Sequence, residues 1–421
     1  MTNLNNTASG GEGKRNAERP AEEKSKGTEQ AADHQKQDLQ DVLSGHYLSK
    51  IIWWLHRNGV FERLSSSQQQ LGQDDQDEEE ELGHSAEELA SALGYDKNVF
   101  SGLLQFVAAR TDILQAITLP TNHGVRYRLH PNYAHYPALG HPLDKFIGAY
   151  GHLLDDLESV LRSDTLGKHR IVNDAMLCQS FDKLPVPSLA TNDPSISLIA
   201  SNSYKRMLDL GCGAANLLVG AANDMEGLQG WGVDVSHDMC EAARKKVEKH
   251  GLSHRIQIIE GDVRCIDELL SEEEAKQMDI VFGGSILNEF FHPDDAQAVA
   301  FLQKVRKLCP HAVFLNADYY GSLRINNNDN RDEEEEEADE KTEKAKEASS
   351  RGENERVKGK ETMLHDVLQC ISGQGVPPTT REGWESVYRR AGYQVHELHE
   401  WPQHSISSFL HLCVPLQSPS D

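Results

Sequence analysis

Apolar residues recur along this chain with two different periods, and the change of period marks two regions. From residue 43 to about 135 the spacing is helical. Leu43, Tyr47, Leu48, Ile51, Ile52 and Leu55 fall three and four apart, which gives one buried and one wet face. Gly59 ends that helix. Ser85-Ala86-Glu87-Glu88 reads as a capping box, in which a Ser side chain and a Glu three residues on satisfy each other's free N–H groups. The helix it opens carries Leu89, Ala90 and Leu93 and stops at Gly94. A further helix, 98–110, holds Val99, Leu103, Leu104, Phe106 and Val107. Residues 113–117 and 125–129 then alternate around His123-Gly124 like the arms of a hairpin. Residues 141–162 predict one amphipathic helix with Phe146, Tyr150, Leu153, Leu154, Leu157 and Leu161 on one side.

From Tyr204 onward short apolar runs alternate with helical stretches, the pattern of a parallel sheet covered by helices on both faces. The strands fall at 206–210, 230–235, 256–260, 278–284, 311–317, 393–398 and 407–414. The helices fall at about 214–224, 237–250, 263–270, 294–309 and 380–391. Too little chain joins the last two strands for a crossover helix, so the final strand runs antiparallel. Domain boundaries follow: a polar, disordered tail over 1–40, a small helical domain over 41–140 with an acidic loop at 65–84, a linker helix and connector over 141–200, and an α/β domain over 201–421. Residues 324–360 form a charged insertion without apolar periodicity and are expected to be disordered.

Charge narrows the partners. The formal net charge is −25, much of it in the runs 74–81 and 332–337, which read as solvated loops. Such a balance disfavours nucleic-acid backbones and anionic membrane surfaces. Helix, helix, hairpin is the layout of a winged helix, but the 98–110 helix carries a single basic residue, Arg110, at its end. Dimerisation or closure over a substrate therefore fits this domain better than DNA binding. The seven cysteines form no CxxC pair and no apolar run reaches membrane-spanning length, so a reduced, cytoplasmic protein is expected.

Candidate chemistry sits at four strand ends, where an open α/β sheet binds its ligand. The first is Asp209 with the turn Gly211 to Gly213, glycines that let the backbone bend and a ligand come close. The second is Asp234, about twenty residues on, placed to accept ribose hydroxyls. The third is Glu260-Gly261-Asp262-Val263, and the fourth is Gly283-Gly284-Ser285 running to Asn288-Glu289-Phe290. A dinucleotide site would want a third glycine where Asn216 stands. A nucleoside carrying a sulfonium has no phosphates and suits the acidic surroundings. Asp209 would serve its amino-acid portion, Asp234 the ribose and Asp262 the adenine amino group.

This pattern over 204–414 resembles the class I S-adenosylmethionine-dependent methyltransferases. The resemblance implies a seven-stranded Rossmann-like sheet and a cofactor site formed by Asp209, Gly211, Gly213, Asp234, Gly261, Asp262, Val263 and Ser285. Paired with a winged-helix domain, it implies a small-molecule substrate and a homodimer formed through that domain. Leu364-His365-Asp366-Val367-Leu368, Ser372-Gly373-Gln374-Gly375, Trp384 and Ala391-Gly392-Tyr393 further resemble the α-keto acid C-methyltransferases. In those enzymes a His-acid pair and a later His hold a divalent iron, which stabilises an enolate. Carried across, the site is Asn288, Glu289 and His365, with Asn288 where the pattern has His. A neutral amide is a poor ligand for a borderline metal. Two arrangements stay open: Glu289 and His365 holding a metal weakly, or a metal-free site with His365 as general base and Asn288 polarising a carbonyl. His292 is expected to cap the next helix, and Phe290, Phe291, Tyr319, Tyr320 and Trp384 to enclose an apolar pocket. C-methylation beside a keto group is the first reading, with O-methylation of a hydroxyl as the alternative. A non-catalytic scaffold and a protein or RNA methyltransferase are the readings from other classes.

Overall fold

The computed structural model describes residues 40–69, 83–118, 124–133, 137–155, 157–160, 173–323, 352–401 and 408–416. The tail expected over 1–40 and most of the loops expected at 65–84 and 324–360 lie outside those residues. The chain divides into two compact units, Met1–His130 and Pro131–Asp421.

In the first unit a helix over 40–57 is followed by helix Val60–Gln69, which carries helical structure into the stretch read as an acidic loop. The apolar stripe of the first helix is buried only toward its end. Ile52 and Leu55 are in the core, whereas Leu43 and Tyr47, expected to be buried, are exposed. The capping box forms as expected: Ser85 accepts from the Glu88 N–H, Glu88 accepts from the Ser85 N–H, and Gly94 closes helix Ala86–Leu93 in the left-handed conformation. Asp96 caps the next helix, Lys97–Arg110. Its two basic residues are both engaged by carboxylates, Lys97 by Glu87 and Arg110 by Asp41. Strands β1 (His84–Ser85), β2 (Leu114–Thr118) and β3 (Val125–Leu129) form an antiparallel sheet in the order β1-β3-β2.

The second unit is built on a seven-stranded sheet of β4 (Arg206–Leu210), β5 (Gln229–Asp234), β6 (Ile256–Glu260), β7 (Ile280–Gly284), β8 (Val313–Tyr319), β9 (Tyr393–Trp401) and β10 (Ser408–Pro415). Their order is β6-β5-β4-β7-β8-β10-β9. β4 pairs in parallel with both β5 and β7, and β10 runs antiparallel to β8 and β9, as the short connection requires. Successive residues of a strand face opposite sides, so β4 serves two cores at once. Leu208 and Leu210 pack with Val233, Leu302, Trp384 and Tyr388 on one face, and Met207 packs with Ile199, Leu218, Ala243 and Leu410 on the other. The chain turns to opposite sides at β4 and β7, and the crevice between their carboxyl ends is the topological switch point.

The single helix expected over 141–162 is broken. Residues Leu143–Ala149 form a π-helical turn, with the Tyr150 N–H donating five residues back to the Lys145 carbonyl at 3.1 Å. A short 3-10 turn, Gly151–Leu154, follows. The extra residue in the wide turn rotates everything after it off the stripe. Tyr150 and Leu153 are buried, while Leu154 and Leu157, placed on the same side by the sequence pattern, are exposed. The stretch expected over 263–270 is likewise short pieces, a 3-10 turn Val263–Cys265 and helix Ile266–Leu269. Helix Gly352–Ile371 takes up the last residues of the segment read as a disordered insertion.

Candidate active site

The glycine turn after β4 is held by its neighbour. The N–H groups of Gly211 and Cys212 both donate to the Val233 carbonyl, at 2.8 and 3.0 Å. One oxygen of Asp234 accepts the Gly213 N–H at 2.9 Å and the other accepts the Ser236 N–H at 2.9 Å. Asp234 therefore shapes the turn. Gly211 has φ +70, and a Cβ there would lie 2.9 Å from Ile286 Cδ1. Helix Asn216–Asp224 starts two residues later than expected, after Ala215 at φ +57, a left-handed conformation that costs an alanine roughly 1–2 kcal/mol. Asn216, which stands where a dinucleotide site has glycine, is a clamp. Its amide donates to the Phe181 carbonyl at 3.1 Å and its oxygen accepts from Lys246 at 2.5 Å.

Asp209 is buried beside this turn, and burial together with the charge of Asp234 pushes its carboxyl up to about 8. A buried pair of acids next to a bent glycine backbone is completed by a cation. S-adenosylmethionine, with its sulfonium and ammonium and no phosphate, fits that requirement. Asp209, Gly211, Gly213 and Asp234 thus form one constellation. Asp262 stands beside it, because the Gly261 N–H donates to the Asp234 carbonyl at 2.9 Å. Asp262 is half-exposed and caps its own turn by accepting from the Arg264 N–H at 2.8 Å. Gly261 and Val263 have packing reasons for their identity: a Cβ at Gly261 would lie 2.6 Å from Leu269 Cδ1, and Val263 is in the core. Ser285 is exposed across the switch point at φ +50, its N–H on the Ala317 carbonyl at 2.8 Å.

The other half of the crevice is built from the ends of β7 and β8 and from helix Gly352–Ile371. Asn288 is buried on the 3-10 turn Leu287–Phe290, and its N–H donates to Asp318 at 3.2 Å. Its side-chain Oδ1 has no hydrogen-bond partner among the described residues. Burial pushes the Asp318 carboxyl up to about 8, and the nearby charge of Glu289 adds to the effect. His365 is buried with its ring edge-on to Tyr319 at 4.7 Å and to Phe146 at 6.2 Å. Its Nδ1 also lacks a partner among the described residues, and burial plus the Lys145 ammonium lower its pKa to about 3. Asp366 beside it is structural: it accepts from the Ser322 N–H at 2.6 Å, the Ser322 hydroxyl at 2.8 Å and the Leu323 N–H at 2.9 Å. Asn288 and Glu289 thus gather at Asp318, and His365 gathers at Tyr319, the next residue of β8.

Several expectations about this end change. Among the described residues no group of three His, Cys, Asp or Glu side chains is arranged to hold a metal, so Glu289 and His365 lack the third ligand that the keto-acid pattern needs. Of the five aromatics expected to enclose a pocket, Tyr319 alone meets His365 among the described residues, edge-on. Phe290, Phe291 and Trp384 belong to the sheet's core, where Phe290 stacks on Phe301 at 4.3 Å and Phe291 meets Trp384 at 5.2 Å. Tyr320 turns to β9 and β10, with its hydroxyl 2.5 Å from Glu400 and 3.2 Å from His411. His292 does not cap the following helix: the Ala296 N–H is taken by Asp294 at 2.9 Å, and the His292 carbonyl accepts from Gln297 at 2.6 Å. Asp318 and Lys145 were missed. Asp318 could have been found by the rule that picked Asp209 and Asp234, an acid at the end of a buried strand.

Residues 207–310 match the family described as "Methyltransferase domain". Among solved structures, mitomycin 7-O-methyltransferase MmcR matches with a TM-score of 0.59 at 15% identity, over 91% of this chain and 99% of its own. A putative O-methyltransferase from Nostoc punctiforme matches with a TM-score of 0.60 at 14% identity, over 89% and 98%. Human N-acetylserotonin methyltransferase in complex with SAM matches with a TM-score of 0.56 at 14% identity, over 90% and 97%. At these identities the likeness is one of fold. It is that of a Rossmann-like sheet with an N-terminal domain, and residues 207–310 within it carry the methyltransferase-domain match. No helix among the described residues is long and apolar enough to cross a membrane.

Proposed function

We propose that this chain is an O-methyltransferase of a small hydroxylated acceptor. The observation that carries the reading is His365, a buried imidazole that is neutral at any ordinary pH and has an unpartnered Nδ1. S-adenosylmethionine supplies a methyl group on a cationic sulfur, open to in-line attack by an oxygen nucleophile. The protein's own part is positioning and proton handling. Asp234 takes the ribose hydroxyls on the oxygens that also fix the glycine turn. Asp209 ionises against the amino-acid portion. His365 accepts the hydrogen of the acceptor hydroxyl at Nδ1, and Tyr319 keeps the ring edge-on. Asn288 offers Oδ1 to a second donor on the acceptor. The likeness to mitomycin 7-O-methyltransferase supports oxygen as the nucleophile.

C-methylation beside a keto group is the second reading, favoured by the run from Leu364 to Gly375. Transfer of labelled methyl to a panel of phenols and α-keto acids, with and without chelator, separates the two. Label on phenols that survives chelation is expected. Label on keto acids alone, lost with chelator, overturns the O-methyl reading.

A further inference from the structure

Lys145 lies beside His365 and the mechanism above does not use it. Its Nζ stands over two phenyl rings, 5.6 Å from the centre of Phe146 and 5.7 Å from that of Phe181. Phe146 is the ring that meets His365, and the Phe181 carbonyl holds the first residue of the helix after the glycine turn. The ammonium therefore sits between the two halves of the site. It lies on the π-helical turn, a feature found often at functional sites. Neighbouring cations are paired: Lys183 with Asp144 at 2.7 Å and Lys246 with Asp182 at 2.9 Å. Among the described residues no carboxylate pairs with Lys145. Lys145 is partly buried, and ring faces attract a cation but do not replace a counter-charge.

We propose that Lys145 binds an anionic group of the acceptor, so that the preferred substrate carries a carboxylate besides the hydroxyl to be methylated. This rests on the reading of the His365 corner as the acceptor site. It also gives the acceptor a part in its own activation. Burial is the main cause of the low His365 pKa; an anion on Lys145 cancels the positive charge that adds to it, and the imidazole becomes a better hydrogen acceptor once the right substrate is bound.

The probes are a hydroxybenzoate and the matching hydroxybenzamide, titrated calorimetrically into the full chain saturated with S-adenosylhomocysteine. The wild type is expected to bind the hydroxybenzoate at least about tenfold more tightly, the usual worth of a charged hydrogen bond. Lys145→Met keeps the apolar stem, so it is expected to fold and to lose the preference, while Lys145→Arg retains it. Absence of hydroxybenzoate binding, equal binding of the two probes, or a preference that survives Lys145→Met overturns the proposal. Methyl transfer to the neutral hydroxybenzamide is measured separately. A Lys145-dependent preference with no transfer to any hydroxyl would sink the O-methyl reading and leave the anion site standing.

Discussion

On the β4–β5 side of the crevice the carboxylate of Asp234 accepts two backbone N–H groups, and the turn it braces is tied to Val233 by two more. On the β7–β8 side Asn288 Oδ1 and His365 Nδ1 are buried without partners among the described residues. The backbone of the first half is braced before any ligand arrives, as suits a cofactor that is the same in every turnover, and its buried acids await only the cation. The second half leaves polar atoms unsatisfied, each at a cost of roughly 1–3 kcal/mol until something fills the site. A binding surface completed by its ligand gains selectivity from that debt, because an acceptor lacking the matching groups leaves it outstanding.

The largest expected effect tests the division directly. His365→Ala should lower turnover by about 10²–10⁴-fold, the range for losing a positioned proton acceptor, and leave affinity for S-adenosylhomocysteine unchanged by calorimetry. A parallel loss of cofactor affinity would erase the boundary between the halves. Asp234→Ala probes the other side. It removes a charged acceptor from the Gly213 and Ser236 N–H groups as well as from the cofactor. Affinity should fall about ten- to hundredfold, and unchanged binding would remove the ribose assignment.

Each half also holds one buried acid raised to about 8, Asp209 on the cofactor side and Asp318 on the acceptor side. Both values lie far above the roughly 4 of an unfolded aspartate, so the folded protein holds protons that the unfolded chain releases. The stability these groups contribute is fully present below about pH 4 and is lost as pH rises through about 8. On the proposed assignment only Asp209 faces a cationic cofactor. Binding of S-adenosylmethionine should therefore tighten as pH rises toward 8, by up to about tenfold per pH unit for one released proton. Asp209→Asn should flatten that slope and Asp318→Asn should keep it. A slope that follows Asp318 instead would mean that the two halves are not electrically separate.

The contrast also explains what could be read from the sequence. The sheet was legible because parallel strands buried on both faces are short apolar runs, and all seven appear where the pattern places them, with ends shifted by a few residues. The glycine turn and its two acids, part of the proposed cofactor half, were legible as a pattern because they are local, lying between Met207 and Asp234. The proposed acceptor half draws on Lys145, Asn288, Asp318 and His365, four segments that only the fold brings together. Lys145 was hidden further by the π turn, whose period matches neither template. Phe290, Phe291 and Trp384 were misplaced because an apolar residue beyond a strand end can serve a pocket or the core, and composition does not separate the two. Asn216 was read correctly as a departure from the dinucleotide pattern, but its clamp between Phe181 and Lys246 depends on residues thirty or more positions away.

The smallest expected effect is the most discriminating. Asn288 donates its backbone N–H to Asp318, a bond that survives any side-chain change, so Asn288→Leu alters the side chain alone. If Oδ1 is an orphan that only the acceptor satisfies, replacing the amide by a similar apolar volume removes a buried unsatisfied group. The unliganded protein should then lose less than about 1 kcal/mol, or gain, in denaturant unfolding. Turnover should fall about tenfold through loss of a hydrogen bond to the acceptor. A side chain held by structural hydrogen bonds behaves in the opposite way, with stability falling by several kcal/mol and activity following it. Equal losses in the two measurements would show that the β7–β8 side is as finished as the β4–β5 side.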